Sequence, residues 1–257
     1  SDDKAVLAAE VTFYPIGYNP QAYTAIFGNT DLWRAAFNSF YVAIIGCVLG
    51  LIGTCVAAYP MAYGNFYGKK LYVIIIMFTM WFNAGIVPLF LTIRQLGLYD
   101  SLWALILNSM ITAYNVVIIR SYFSSIPFSV IESARIDGAT DYRILFQLVI
   151  PLSKPVLATV ALWLIVGHWN DYLNPLVLIH SQEHKTLQLF LKELVLNAET
   201  STSNLASVND ATNKGVAALS QQLKNGVLVV SMVPMLVLYP FLQKYFVQGV
   251  MIGAVKG

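Results

Sequence analysis

Three stretches of this sequence carry polar or reactive groups in otherwise apolar surroundings. The first is ESARIDGATDYRILFQLVIP, Glu132–Pro151, a charged and glycine-broken segment between two apolar runs. The second, His180-Ser-Gln-Glu183-His184, fits H-x-x-E-H, a pattern that sets two histidines one helical turn apart beside a glutamate base for zinc-dependent hydrolysis. It has no evident third ligand, and so short a pattern arises easily by chance. The third, Gly167-His-Trp-Asn-Asp-Tyr-Leu-Asn174, concentrates hydrogen-bonding groups at the end of an apolar run. There Trp169 and Tyr172 could stack on sugar faces while Asn170, Asp171 and Asn174 bond hydroxyls. Asn83, Asn108, Thr112, Asn115 and His168 also lie within apolar runs, where polar groups are costly and mark a pathway by default. For each taken alone, a bond to a neighbouring helix's backbone explains the residue equally well.

Other chemistry is excluded. No G-x-x-x-x-G-K-[ST] occurs, and GNFYGKK at Gly64 has the wrong spacing for a phosphate cradle. No G-x-S-x-G nucleophile elbow is present. Cys47 and Cys55 sit in one expected helix, about 12 Å apart along its axis, and read as small core residues.

The elements that position these groups are membrane spans. The chain of 257 residues is 58% hydrophobic and 11% charged. With a mean hydropathy of +0.66, this excludes an ordinary soluble protein. A bilayer core of about 30 Å takes roughly 20 apolar residues of helix, and five windows qualify. They are Ser39–Tyr63, Leu71–Ile93 (broken at Asn83-Ala84-Gly85 and Pro88), Ser101 to about Ile119, Pro155–Asn174 and Gly226–Phe246. Asn29–Phe37 reads as a short interfacial helix, and Gly46, Gly50, Gly53 and Ala57 suit close packing of the first span. The stretch 180–225, rich in Ser, Thr, Asn and Ala, reads as an aqueous external loop. The net charge of +2, with no basic run among aromatics, argues against nucleic acid. A cytoplasmic placement of 120–151 puts eight of the fifteen basic residues on that side and leaves four of the others in the long loop, which the positive-inside rule discounts.

Within the charged segment, Pro127 ends the preceding helix and Ser129-x-x-Glu132 reads as a capping box, so a short helix is expected from about Val130. Gly138 is its expected left-handed stop and Thr140 the cap of a second helix running into Pro151.

Glu132-Ser133-Ala134-x3-Gly138-x9-Leu148-x-Ile150-Pro151 resembles the EAA loop of binding-protein-dependent ABC importer permeases, usually E-A-A-x3-G-x9-I-x-L-P, with conservative departures at Ser133, Leu148 and Ile150. ARIDGAT and PLSKPVLATVAL look like the carbohydrate-uptake branch, and QKYFVQGVMIGAVKG resembles the end of the maltose-type second permease subunit. The resemblance covers nearly the whole chain and implies an all-α polytopic helical bundle in a bacterial plasma membrane. The segment 1–38 then follows a sixth, upstream span, 39–119 holds three spans, 120–151 is the cytoplasmic coupling loop, and 226–257 is the last span with a cytoplasmic tail.

The resemblance further implies that Glu132, Ser133, Ala134, Arg135, Asp137 and Gly138 dock on a cytoplasmic ATPase. Gly253, Lys256 and Gly257 would reach the same ATPase, while Asn83, Trp169, Asn170, Asp171, Tyr172 and Asn174 would line the substrate path. The implied partners are a second homologous permease, two ATPase subunits, an external solute-binding protein and a carbohydrate. ATP and Mg would be bound by the ATPase, with no cofactor in this chain. The rivals are a permease for a non-sugar solute and a stand-alone ion-coupled transporter; the near absence of charges within the spans weighs against the second.

Overall fold

Uncharged runs rich in Leu, Ile, Val and Ala become helices here, and the polar and proline-bearing positions between them set the breaks. The computed structural model describes residues 24, 27–82 and 84–205, with Gly226, Val229, Met232 and Leu236; at 197–205 it describes the backbone alone. Among the described residues every regular element is helical. The chain divides into two compact units, Ser1–Phe40 with Asn170–Val237 and Tyr41–Trp169 with Leu238–Gly257.

The first element, α1, is Thr30–Tyr63, 34 residues and about 51 Å long. It begins where Asn29 Oδ1 accepts the backbone N–H groups of Asp31 (2.9 Å) and Leu32 (3.4 Å). The expected interfacial helix at Asn29–Phe37 is therefore its first turns. Nothing breaks the chain between Phe37 and Ser39, because the polar groups there are satisfied elsewhere. Asn38 Nδ2 donates to the carbonyls of Glu183 (2.8 Å) and Lys185 (2.9 Å), and Ser39 Oγ accepts the N–H of Leu187 (2.8 Å).

Next come α2 (Lys69–Trp81) and α3 (Ile86–Gln95). The break lies between Trp81 and Ile86, with Phe82 extended and Ala84-Gly85 inside it as expected, whereas Pro88 sits in the first turn of α3, where its missing N–H costs no bond. The expected third span is two helices, α4 (Leu102–Asn108) and α5 (Ala113–Phe123), bent by 50°. Thr112 starts α5 afresh by accepting the N–H of Asn115 at 3.4 Å.

Then follow α6 (Phe128–Ile136), α7 (Asp141–Leu152) and α8 (Lys154–Asn170), with α7 and α8 meeting at 85°. Residues Leu145–Val149 of α7 form a π turn in which the Ile150 N–H bonds to Leu145. Pro151 supplies no N–H to continue the ladder, and Pro155 cannot extend it through Ser153. The expected Pro155–Asn174 span thus ends at Asn170 and is followed by a separate helix, α9 (Leu173–Leu178).

The expected aqueous loop is also ordered in part. A 3-10 turn, Gln182–His184, leads to α10, Leu187–Leu205, whose Leu187, Leu189, Phe190 and Leu191 are buried. Helix α9 packs against α10. The span Gly226–Phe246 lies, but for four residues, outside the described residues, as do Asn83, Gly253, Lys256 and Gly257. By length and composition α1 could cross a membrane alone, and the bent pairs α2/α3, α4/α5 and α7/α8 bring the number to as many as four.

Small residues set the packing of the second unit. Gly46, Gly50 and Gly53 share a face of α1, and a β-carbon at Gly46 would lie 2.5 Å from His168 Nε2 of α8. At Gly50 it would lie 3.0 Å from the Met110 carbonyl, which is the close packing the sequence indicates. Cys47 and Cys55 are buried and unbridged. One apolar cluster joins the end of α1 (Ala58, Met61) to Phe123 of α5, Ile131 of α6, Ile144 and Leu145 of α7 and Val160 of α8.

Candidate functional site

The coupling segment is built by proline, glycine and two capping arrangements. Pro127 takes the N-cap position of α6 with extended backbone, and no side chain caps the helix. This corrects the expected capping box: α6 starts two residues before Val130, so Ser129 lies inside its first turn. Ser133 Oγ instead donates to the Val130 carbonyl at 3.1 Å. At the other end Gly138 has φ +77°. The N–H of Ala139 bonds to Ala134 and that of Gly138 to Arg135, each at 3.0 Å, so the turn satisfies two end carbonyls. As expected, Thr140 caps α7, its Oγ1 accepting the Arg143 N–H at 3.4 Å.

Helix α6 has two unlike faces. Ile131 is fully buried in the cluster and Ala134 packs against it. Glu132, Ser133, Arg135, Asp137 and Gly138 are exposed. Among the described residues the carboxylates of Glu132 and Asp137 have no hydrogen-bond or ion-pair partner. Beside them Ile136 is 81% and Tyr142 76% exposed, apolar surface that a partner could cover.

Three residues that the sequence reading did not connect tie this segment to α1. Asp141 Oδ1 accepts from Tyr59 Oη (3.0 Å) and from Arg135 Nη2 (3.2 Å). The carboxylate raises the pKa of Arg135 above its ordinary value, so the guanidinium stays charged. The Tyr63 hydroxyl donates to the Phe123 carbonyl, and the Tyr59 and Tyr63 rings pack at 5.5 Å between centroids. A cavity of about 530 Å³ adjoins the junction, lined by Tyr59, Asn65, Phe66, Arg135, Asp141 and Tyr142 among others.

The polar run after α8 is divided in its surroundings. Trp169 is 2% exposed, a ring packed inside the chain. Asn170 and Tyr172 are exposed, while Asp171 accepts both the N–H (3.2 Å) and the Nδ2 (2.7 Å) of Asn174. Lys192 of α10, which the sequence reading missed, sets Nζ 6.0 Å from the centre of the Tyr172 ring, within reach of a cation–π contact. His180 precedes the 3-10 turn and His184 ends it, with Nδ1 3.0 Å from Ser181 Oγ, so the two do not share the helical face that the zinc pattern requires.

The sequence profile of the family described as binding-protein-dependent transport system inner membrane component matches residues 46–206. The polygalacturonan/rhamnogalacturonan transport system permease protein YtcP of Bacillus subtilis is 32% identical, over 98% of this chain and 87% of its own. Protein LplC of the same organism is 35% identical, over 95% and 81%. Among solved structures, a chain from a bacterial ABC transporter involved in the import of the acidic polysaccharide alginate is similar at a TM-score of 0.81 and 32% identity, covering 93% of this chain and 85% of that one.

Proposed function

Because this chain belongs to the binding-protein-dependent transport system inner membrane component family, we propose that it forms half of the translocation path of an ATP-driven oligosaccharide importer, coupled to its ATPase through α6 and the Gly138 elbow. The single observation that carries the coupling is the two-faced character of α6. Ile131 anchors one face in the core, while Glu132, Ser133 and Asp137 stand unburied away from it, Arg135 turns to Asp141, and the helix ends in a turn fixed by Gly138. A short helix so held can be pushed as a body. ATPase motion then biases the packing of the spans rather than being lost in a loop.

In this reading the chain pairs with a second, homologous permease and two ATPase subunits that hold ATP and Mg, and it receives solute from an external binding protein. The tail residues Gly253, Lys256 and Gly257 contact the ATPase, and the membrane is the bacterial inner membrane. Relatives named for polygalacturonan and alginate favour an acidic oligosaccharide. The Tyr172 ring with Lys192 beside it supplies the matching chemistry, an apolar face and a cation. With Asn170, Asp171, Asn174 and Asn83 these residues are the proposed path contacts, and the burial of Trp169 favours a packing role for it.

The test is purification of the tagged chain from its native membrane as wild type and as Gly138→Pro. The reading expects an ATPase and a second permease with the wild type and loss of the ATPase with the variant. A chain that purifies alone in both cases sinks it.

A further inference from the structure

Asp141 opens α7 and receives two hydrogen bonds on one oxygen, from Tyr59 near the end of α1 and from Arg135 in the last turn of α6. Three helices, lying on both sides of the Gly138 elbow, thus meet at one atom. The apolar cluster under the elbow presses Ile131, Ile144 and Leu145 toward α1, but burial is not directional, and it resists rolling of one helix over another only weakly. Hydrogen bonds weaken steeply as they bend, so they set the angle. A cavity adjoins Tyr59, Arg135 and Asp141 on that flank.

From this juxtaposition we propose that Tyr59 is a positioning residue for transport: through Asp141 it transmits displacement of α6 to α1, so that ATP hydrolysis and solute movement stay in step. The inference rests on the importer reading above. It assigns a role to a hydroxyl within α1, outside the docking residues and the proposed path residues named above. Removing that hydroxyl leaves the ring in place, because Tyr59 is buried and packs against Tyr63. The apolar cluster still holds the elbow onto α1. The fold persists while the angle is freed.

The experiment uses the full importer complex, with partner permease, ATPase subunits and binding protein, in proteoliposomes, and reads ATP hydrolysed per solute taken up. Tyr59→Phe and Asp141→Ala each raise that ratio by roughly fivefold with the ATPase still bound in full amount. The double variant is no worse than either single one, because both act on one path. An unchanged ratio in Tyr59→Phe, additive effects in the double variant, or loss of the ATPase from Tyr59→Phe would each overturn the proposal. A wild-type complex that binds no ATPase and takes up nothing with ATP would overturn the importer reading and this junction with it.

Discussion

Gly46 of α1 and His168 of α8 are matched in shape: a β-carbon on Gly46 would come within 2.5 Å of the imidazole Nε2, and His168 is buried. A larger residue at 46 must displace the buried imidazole or part the two helices. Gly46→Ala is therefore expected to destabilise the chain by about 1–3 kcal/mol, read as a lower melting temperature in detergent. Gly167→Ala, one residue before the same histidine, meets nothing within 4 Å and should be neutral or slightly stabilising. Equal melting of the two variants would contradict the packing described.

The elbow makes a different demand. Gly138 has φ +77° and open space where a β-carbon would go, so its substitution is limited by backbone conformation rather than by crowding. Gly138→Ala should cost about 1–2 kcal/mol at the turn. Gly138→Asn should cost less, since asparagine tolerates the left-handed region. Retention of the ATPase during purification is expected to rank wild type, Asn, Ala. A ranking with Ala above Asn would separate docking from elbow geometry.

The polar run after α8 supplies a third contrast. Trp169→Ala removes a buried ring and should lower stability by about 3–5 kcal/mol. Tyr172→Ala and Asn170→Ala, at exposed positions, should leave melting unchanged and weaken uptake. Intact uptake in both would remove them from the proposed path.

Asn38 holds the start of the 181–205 region against α1 through two carbonyls. Asn38→Ala leaves both without that donor, an expected loss of about 1–2 kcal/mol. Limited proteolysis would report it as faster cleavage after Lys185, and an unchanged rate would argue that this contact is dispensable.

Local chemistry was legible in the sequence where one residue type fits one conformation. Gly138 as a left-handed stop, Thr140 as the cap of α7 and the Gly46-Gly50-Gly53 face are of this kind. Readings failed where a distant partner decides. Asn38 and Ser39 look like a boundary, yet their side chains bond to residues near 185, so α1 runs through them. The stretch after Leu187 reads by composition as a loop, but it is helical, and Leu187, Leu189, Phe190 and Leu191 bury the first turns of α10. Ser129 and Glu132 have capping-box spacing, but the extended backbone of Pro127 starts the helix earlier and leaves Ser129 inside it. The bond between Tyr59 and Asp141 joins residues 82 positions apart, and no spacing rule pairs them.

The most direct measurement is uptake of a labelled acidic oligosaccharide by proteoliposomes holding the purified complex of this chain. The account expects uptake only with ATP on the α6 side and binding protein on the other, abolished by Gly138→Pro. Uptake by this chain alone, driven by an ion gradient and indifferent to ATP and to Gly138, would contradict it.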